Sequence, residues 1–324
     1  MPLPALLIEA ASGAVGAMFA LTVSYPLMTV NTRQQTTQHR KDGEPTFAGP
    51  LDTALEIIAE EGSVLGLFKG LQASLIGTGV SQLLYFCVYA AMRTAVIKRR
   101  SKTGKIRKGE ERSLSGLEGL AIASLSGAIN VVVTSPIWVV ATRMQACRKS
   151  EIPCIESASG KHAGLLETCM AVYKDYGVMG YWKGVLPSLA MVSNPAIQYM
   201  IYEWCRTYHL KVTRSSHIPP VRTFMMGAAG KLGATLVTYP MLMIKSRLQA
   251  QSTTTEYQYN GLFDAIYRVY QAEGIGSFYE GMRTKMVQSV FASALMFTLK
   301  EEIDRAVRKA LQGGSSKKPK VATS

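Results

Sequence analysis

One pattern that occurs three times in this chain of 324 residues constrains the fold more than any other feature. A proline is followed at fixed spacing by an arginine and a glutamine, and further on by an aromatic residue, a charged residue and a glycine. The copies are Pro26, Arg33, Gln35 with Phe68-Lys69-Gly70; Pro136, Arg143, Gln145 with Trp182-Lys183-Gly184; and Pro240, Arg247, Gln249 with Tyr279-Glu280-Gly281. Three matches in step predict a repeat of roughly 100 residues. We expect repeat one at 1–100, a basic loop at 101–112, repeat two at 113–210, repeat three at 211–311 and a disordered basic tail at 312–324.

Charged residues are scarce and unevenly distributed. They make up 18% of the chain, whereas about 25% is usual in soluble domains. Three long stretches contain none: Leu71–Met92, Gly119–Thr142 and Gly184–Tyr202. Further apolar segments cover about Leu3–Val30, Phe224–Ile244 and Met286–Leu299. Since about 20 apolar residues cross the hydrocarbon of a bilayer, we predict an all-α integral membrane protein with six transmembrane helices, two per repeat. A soluble helical array is the alternative.

Each repeat is predicted to contain three helices. The odd transmembrane helix kinks at its proline, which removes a backbone hydrogen bond. A short amphipathic helix follows and lies along the membrane surface, with Leu51, Ala54, Leu55 and Ile58 of the first copy on one face. The even helix completes the repeat. Three kinked helices around a pseudo-threefold axis would converge and close one end of a cavity. The arginines after the kinks are expected at its mouth, where they bind anionic groups or extend to the interface.

Several polar residues interrupt the predicted spans. Because polar groups are costly in contact with lipid, they should face a common interior. These residues are Gln82, Asn130, Asn194, Gln198, Lys231 and Gln288. We therefore expect a water-filled cavity. An unpaired ammonium such as that of Lys231 costs about +2.5 to +3.5 kcal/mol at the centre of a span, so it is expected to face the cavity or to contact a neighbouring helix.

The other sequence features exclude most functional classes. The net charge of +14 is concentrated in the basic run Lys98 to Arg112 and in the C-terminal lysines, which favours a cytosolic position for the run and attraction to anionic membrane lipids. Nucleic-acid-binding modules, metal-ligand spacings, a phosphate-binding loop and a nucleophile elbow are missing from the sequence. We expect no enzyme and no bound metal. A membrane-bound oxidoreductase and a non-transporting membrane scaffold are the alternatives.

The repeated pattern resembles that of the mitochondrial carrier family over the whole chain. The resemblance implies a monomeric, six-helix solute exchanger that works by alternating access, with one central site, two gates and no permanently bound cofactor. Family members place three acid–base pairs after the prolines at the matrix-side gate. In this chain the acid positions hold Met28, Trp138 and Leu242, and the base positions hold Asn31, Ala141 and Lys245. The resemblance thus implies a gate at Pro26, Pro136 and Pro240 that closes by apolar packing, with Gln35, Gln145 and Gln249 as hydrogen-bonding braces.

The resemblance also implies a cytosolic gate near the ends of the even helices. Its residues in this chain are Tyr89 and Arg93; Tyr202, Glu203 and Arg206; and Lys300, Glu301 and Asp304. Arg93 with Glu301 is the one complementary pair that the family's connectivity predicts. Glu203 would face Asp304 unless Lys300 or Arg206 intervenes.

Two segments resemble one branch of the family. Trp138 after Pro136-Ile137, and Asn194-Pro195-Ala196-Ile197-Gln198, are similar to carriers of pyrimidine nucleotides, flavin, folate and peroxisomal cofactors. This branch implies a peroxisomal membrane antiporter that imports NAD in exchange for AMP, with coenzyme A, FAD and ADP as further candidate substrates. A mitochondrial inner-membrane carrier of flavin, folate or pyrimidine nucleotides is the alternative.

The family's substrate contacts map onto uncharged positions of the even helices: Gly77, Met191 with Val192, and Gln288. Gly77, Met191 and Val192 are expected to contact the flat base. Lys285 shares a helical face with Gln288, so the two are expected to bind phosphate and ribose oxygens. Further candidates for the site are Lys231, Asn194 and Gln198.

Overall fold

The computed structural model describes residues 3–37, 49–102, 116–147, 164–213, 219–252 and 258–292. Regular structure in these ranges is helical. The α-helices are α1 (Leu3–Thr36), α2 (Pro50–Glu61), α3 (Leu71–Lys102), α4 (Gly116–Ala146), α5 (Leu165–Tyr176), α6 (Val185–Met191), α7 (Asn194–Thr213), α8 (Pro220–Ala250), α9 (Leu262–Glu273) and α10 (282–292). Short 3₁₀ turns at Val64–Phe68, Val178–Trp182 and Gly276–Tyr279 precede the even helices.

The odd helices α1, α4 and α8 each continue through their proline. Proline lacks an N–H, so the carbonyl four residues earlier loses its helical partner. In α4 the indole N–H of Trp182 donates to the freed carbonyl of Val132 at 3.0 Å. The helices also extend beyond the predicted ends, because the polar residues after each proline are buried between the repeats. α1, for example, ends at Thr36 rather than at Val30.

The short helices α2, α5 and α9 pack against the ends of the odd helices. In α2, Ile57 is buried with Val30 of α1 and Leu67 of the following turn. Leu51 and Leu55 point outward and are 79% and 65% exposed. The expected single face of four apolar residues is therefore divided, with Ala54 and Ile58 packed against the cluster around Ile57. The outward leucines suit contact with a membrane surface.

The even helix of repeat two is interrupted, whereas α3 of repeat one is continuous. α6 ends at Met191 and α7 begins at Asn194. At the break, the Val192 and Ser193 N–H groups donate to carbonyls three residues earlier, at 3.1 and 3.2 Å. Pro195 cannot donate to the preceding turn, which accounts for the loss of regular helix. The single helix expected over this segment is therefore two helices.

Hydropathy supports membrane insertion for part of the chain. Among the described residues, two helical stretches are long and apolar enough to cross a membrane: Val64–Arg100 and Glu118–Ala146. In α8, Lys231, Lys245 and Arg247 reduce the hydropathy, and the corresponding span of repeat two is divided between α6 and α7. The six-span topology stays a prediction.

Candidate functional site

At the end where α1, α4 and α8 meet, each glutamine of the repeated pattern accepts a hydrogen bond from a hydroxyl on another odd helix. Thr32 donates to Gln145 Oε1 at 2.9 Å, Thr142 to Gln249 Oε1 at 3.0 Å, and Ser246 to Gln35 Oε1 at 2.7 Å. All three glutamines are at most 3% exposed. We call these six residues the glutamine ring. It connects α1 to α4, α4 to α8, and α8 back to α1.

Two tyrosines extend the glutamine ring. Gln145 Nε2 donates to the Tyr25 hydroxyl at 2.9 Å, and Gln35 Nε2 donates to the Tyr239 hydroxyl at 3.0 Å. Each tyrosine hydroxyl donates in turn to a backbone carbonyl just before an even helix, at Lys69 (2.8 Å) and at Glu280 (2.5 Å). Each tyrosine immediately precedes its proline. Repeat two has Ser135 at that position, and its hydroxyl donates within its own helix to Val131 O at 2.8 Å.

Glycines that open the even helices lie directly against the odd helix of another repeat. Gly70, Gly184 and Gly281 have φ angles of 77°, 79° and 72°, in the left-handed region that favours glycine. A Cβ at Gly70 would lie 3.2 Å from Ala141 O, and a Cβ at Gly281 would lie 2.9 Å from Asn31 Nδ2. Both the backbone conformation and the close approach therefore require glycine at the last position of the repeated aromatic–charged–glycine motif.

The three arginines of the pattern are buried, which corrects the expectation that they lie at a solvent-facing mouth or extend to the interface. Arg33 pairs with Glu60 at 3.1 Å, Arg247 with Glu273 at 2.5 Å, and Arg143 with Asp175. In each case the carboxylate belongs to one of the short helices α2, α5 and α9, which we call the surface helices. The arginines thus connect the surface helices to the ends of the odd helices, and burial makes the pairs expensive to break.

At the positions where family members have acid–base pairs, the side chains of this chain make other contacts. Trp138 donates its indole N–H to Ser81 Oγ at 3.3 Å. Asn31 donates to the Gly281 carbonyl at 2.7 Å, which joins repeat one to the start of α10. Met28 and Leu242 are half-buried and Ala141 is buried. Their proposed role in closure rests on this packing together with the glutamine ring.

The residues predicted to bind substrate are brought together in part. Lys285 Nζ donates to Gln288 Oε1 at 3.1 Å, as their shared helical face suggested. The Lys285 ammonium also lies within electrostatic range of Lys245 and Lys231. Three cations of repeat three therefore act on one region, where they would attract an anion such as phosphate.

Gly77, which is predicted to contact the flat base, packs closely against α4. A Cβ at Gly77 would lie 3.2 Å from Ile137 Cγ2 and 3.5 Å from the Trp138 indole. The missing side chain makes room for α4, so Gly77 positions Trp138. A base would have to contact Trp138 rather than fill a gap at Gly77.

Met191 and Val192 lie at the interruption between α6 and α7, where regular helix is lost. Asn194, the first residue of α7, donates to Thr238 Oγ1 on α8 at 2.7 Å. Gln198 packs through its backbone against Gly230, where a Cβ would lie 2.8 Å from its carbonyl. In this conformation Asn194 and Gln198 therefore connect α7 to α8.

Of the residues predicted to form a cytosolic gate, the structure describes those of repeats one and two. Tyr89 stacks on Tyr85 with ring centroids 6.1 Å apart. Glu203 pairs with Arg206 in the same helix at 3.4 Å, so Arg206 is positioned to offset its charge. The remaining predicted residues, Lys300, Glu301 and Asp304, lie outside the described residues, and so does the expected pairing of Arg93 with Glu301.

A cavity of about 370 Å³ lies away from the predicted substrate site, between the start of α6 and the segment that leads into α9. Its lining includes Gly184, Leu248 and Tyr259. The Lys183 ammonium also lines it and lies 2.9 Å from the centroid of the Tyr176 ring. Burial, with a further contribution from Arg143, lowers the pKa of Lys183 to about 8.

The sequence did not reveal which residues contact the arginines and glutamines of the repeated pattern. It did not identify Thr32, Thr142 and Ser246, the tyrosines at 25 and 239, or the carboxylates that pair with the arginines. Aligning the three repeats on their prolines would have revealed the hydroxyl at one position and the tyrosine at another. The identity of the partner helix, however, depends on the packing of the repeats.

Comparison with known proteins agrees with the threefold architecture. The family model described as mitochondrial carrier protein matches residues 4–100, 112–212 and 216–311. The chain is 38% identical to the peroxisomal nicotinamide adenine dinucleotide carrier of Arabidopsis thaliana, over 96% of this chain and 98% of that protein.

Two further relatives indicate the range of similar proteins. The peroxisomal adenine nucleotide carrier 1 of Glycine max is 28% identical, over 92% of this chain and 90% of its own length. The mitochondrial nicotinamide adenine dinucleotide transporter 2 of Arabidopsis thaliana is also 28% identical, over 93% of this chain and 79% of its own length.

Proposed function

Because the chain belongs to the mitochondrial carrier family, whose model matches all three repeats, we propose that it is a peroxisomal membrane antiporter of adenine-containing cofactors. Its principal exchange is NAD for AMP, and coenzyme A, FAD and ADP are further candidate substrates. The observation that carries this proposal is the 38% identity to a peroxisomal NAD carrier over nearly the whole of both chains. The name of the Glycine max relative supports the same organelle and the same chemical class.

Transport in this proposal proceeds by alternating access. The three repeats form six spans around a central cavity, each odd helix kinks at its proline, and the protein acts as a monomer surrounded by membrane lipid. The glutamine ring is the closed form of the matrix-side gate. Because the ring contains only neutral partners, it opens without separating ionised groups, whose desolvated pairing would be costly to break.

Substrate binds at the positive region of repeat three in this proposal. Lys285 binds phosphate oxygens, Gln288 binds ribose or phosphate oxygens, and Lys231 and Lys245 add positive charge. The flat base contacts Met191, Val192 and the exposed part of Trp138. NAD and AMP both contain an adenylate group, which explains how one site could accept both. Tyr89, Arg93, Tyr202 and Glu203 belong to the opposite gate.

A mitochondrial location is the second candidate, favoured by the similarity to a mitochondrial NAD transporter. Both candidates predict adenylate exchange, so localisation must be tested separately. A tagged full-length chain expressed in cells should colocalise with a peroxisomal membrane marker. Colocalisation with mitochondria alone would overturn the peroxisomal proposal and leave the transport proposal intact.

The transport proposal is tested with purified protein in vesicles loaded with AMP. External labelled NAD should enter only when AMP is inside. The oxidoreductase alternative would be favoured by a tightly bound, reducible cofactor in the purified protein, and the scaffold alternative by the lack of exchange with every cofactor tested.

A further inference from the structure

The glutamine ring is closed unequally at its three contacts between repeats. We name these contacts by their odd helices: the α1–α4, α4–α8 and α8–α1 seams. At the α1–α4 seam, Gln145 bonds both Thr32 and Tyr25, and at the α8–α1 seam, Gln35 bonds both Ser246 and Tyr239. At the α4–α8 seam, Gln249 bonds Thr142 alone among the described residues.

The residue before the second proline explains this difference. Ser135 occupies the position of the two tyrosines, and its short side chain bonds only its own helix. Gln249 is 3% exposed, and the side-chain bond described for it is the one that its amide oxygen accepts from Thr142. The tyrosine–aromatic stacks at Phe68 and Tyr279 also lack a described counterpart in repeat two.

The arginines also differ in the groups that they bond across the seams. Arg33 donates Nε to the Gln145 carbonyl at 3.1 Å, and Arg247 donates Nε to the Gln35 carbonyl at 3.1 Å. Arg143 instead bonds Ser252, beyond the end of α8, at 2.8 Å. Arg143 thus also bonds across its seam, and Ser252 donates onward to Asp175 at 3.0 Å; what the α4–α8 seam lacks is an arginine bond to the backbone of a ring glutamine.

A cavity and a helix interruption lie beside the same seam. The cavity beside α6 is bordered by Gly184, which opens the even helix of repeat two, and by Leu248 of α8. The interruption between α6 and α7 lies in the same repeat and is connected to α8 through Asn194 and Thr238. The Asn194–Thr238 bond joins α7 to α8, and the interruption before α7 would let α7 follow α8 when α8 moves away from α4.

We infer that the gate opens first at the α4–α8 seam, so that repeats two and three separate while the other two seams are still closed. This inference rests on the proposed role of the glutamine ring as a gate. A net hydrogen bond contributes about 0.5–1.5 kcal/mol, which corresponds to roughly a two- to twelvefold difference in an opening equilibrium. The seam with the missing tyrosine should therefore open roughly two- to twelvefold more often than the other two seams.

Three equivalent positions one residue beyond the glutamines allow a direct test. Thr36, Ala146 and Ala250 are 6%, 1% and 1% exposed, and Ala146 packs against Ala250. In a background with the five native cysteines replaced by serine, each position is changed singly to cysteine in the full chain. Labelling by N-ethylmaleimide is followed in proteoliposomes and normalised to the rate in denatured protein.

Ala146→Cys and Ala250→Cys border the α4–α8 seam, whereas Thr36→Cys does not. We expect the first two to react at least twofold faster than Thr36→Cys, although Thr36 is slightly more exposed in the closed state. Equal rates at all three positions would overturn the inference, and so would fastest labelling at Thr36→Cys. The comparison needs no substrate, so its result is independent of whether NAD and AMP exchange.

A second set of variants tests the cause. Tyr25→Phe removes the extra bond of the α1–α4 seam, and Tyr239→Phe removes that of the α8–α1 seam. Either change should accelerate labelling of Thr36→Cys severalfold. Tyr85→Phe, in α3 and outside the glutamine ring, is the matched control and should leave the rate unchanged. If Tyr25→Phe and Tyr239→Phe behave like this control, the tyrosines do not order the seams.

Discussion

Replacing the ring glutamines one at a time should destabilise the closed protein to different extents. Leucine keeps most of the volume of glutamine and removes its hydrogen bonds. Gln35→Leu removes the bonds to Ser246 and Tyr239, whereas Gln249→Leu removes only the bond to Thr142. The difference between the two variants therefore isolates the additional bond that involves Tyr239.

The structure also limits the size of the effect. After Gln35→Leu, the Ser246 hydroxyl still donates to Leu242 O and the Tyr239 hydroxyl still donates to Glu280 O. Neither hydroxyl is left without an acceptor, so the larger cost of an unsatisfied buried donor does not apply. At about 0.5–1.5 kcal/mol per net bond, we expect about 1–3 kcal/mol for Gln35→Leu. We expect about half of that for Gln249→Leu, because the Thr142 hydroxyl, which loses its one described acceptor, is half-buried and can be hydrated instead.

The assay is thermal unfolding of the purified protein in detergent, read as the shift in Tm from the parent protein. Gln145→Leu provides a matched comparison, because it also removes a bond to a threonine and a bond to a tyrosine. Gln35→Leu and Gln145→Leu should lower Tm more than Gln249→Leu. Equal shifts for all three variants, or the largest shift for Gln249→Leu, would refute the reasoning.

Three further changes test other parts of the account. Lys285→Ala should weaken the apparent affinity for NAD and AMP roughly ten- to hundredfold in exchange assays, because a charged hydrogen bond contributes about 1.5–3 kcal/mol; an effect below about twofold would place the phosphates elsewhere. Glu273→Gln should destabilise the protein by about 3 kcal/mol in thermal unfolding, since it breaks a buried pair with Arg247; an unchanged Tm would contradict this. Gly77→Leu should cost about 1–3 kcal/mol by overpacking against Trp138, so it should lower Tm together with transport; lost transport at an unchanged Tm would instead favour a base pocket at Gly77.

Much of the architecture was predictable from the sequence because the repeated residues have strong effects on the local backbone and on hydropathy. The prolines, the glycines at positive φ and the uncharged stretches act through backbone geometry and hydropathy, which depend on neighbouring residues. The role of the glutamines as hydrogen-bonding braces was implied by the resemblance of the repeated pattern to the family.

Contacts between repeats were harder to predict. Thr32 and Tyr25 both contact Gln145, which belongs to another repeat, so no local periodicity indicates the pairing. Burial of the arginines depends on carboxylates in the surface helices, which only the packed structure brings near them. The interruption of the even helix at Val192 and Ser193 was missed because hydropathy continues through it.

Exchange in reconstituted vesicles tests the central claim most directly. Purified protein is placed in vesicles with AMP inside and labelled NAD outside, beside vesicles without internal AMP and vesicles that contain Lys285→Ala. The account predicts NAD uptake that requires internal AMP and is weakened by the variant. Uptake of phosphate, keto acids or amino acids without any exchange of adenylates would contradict it.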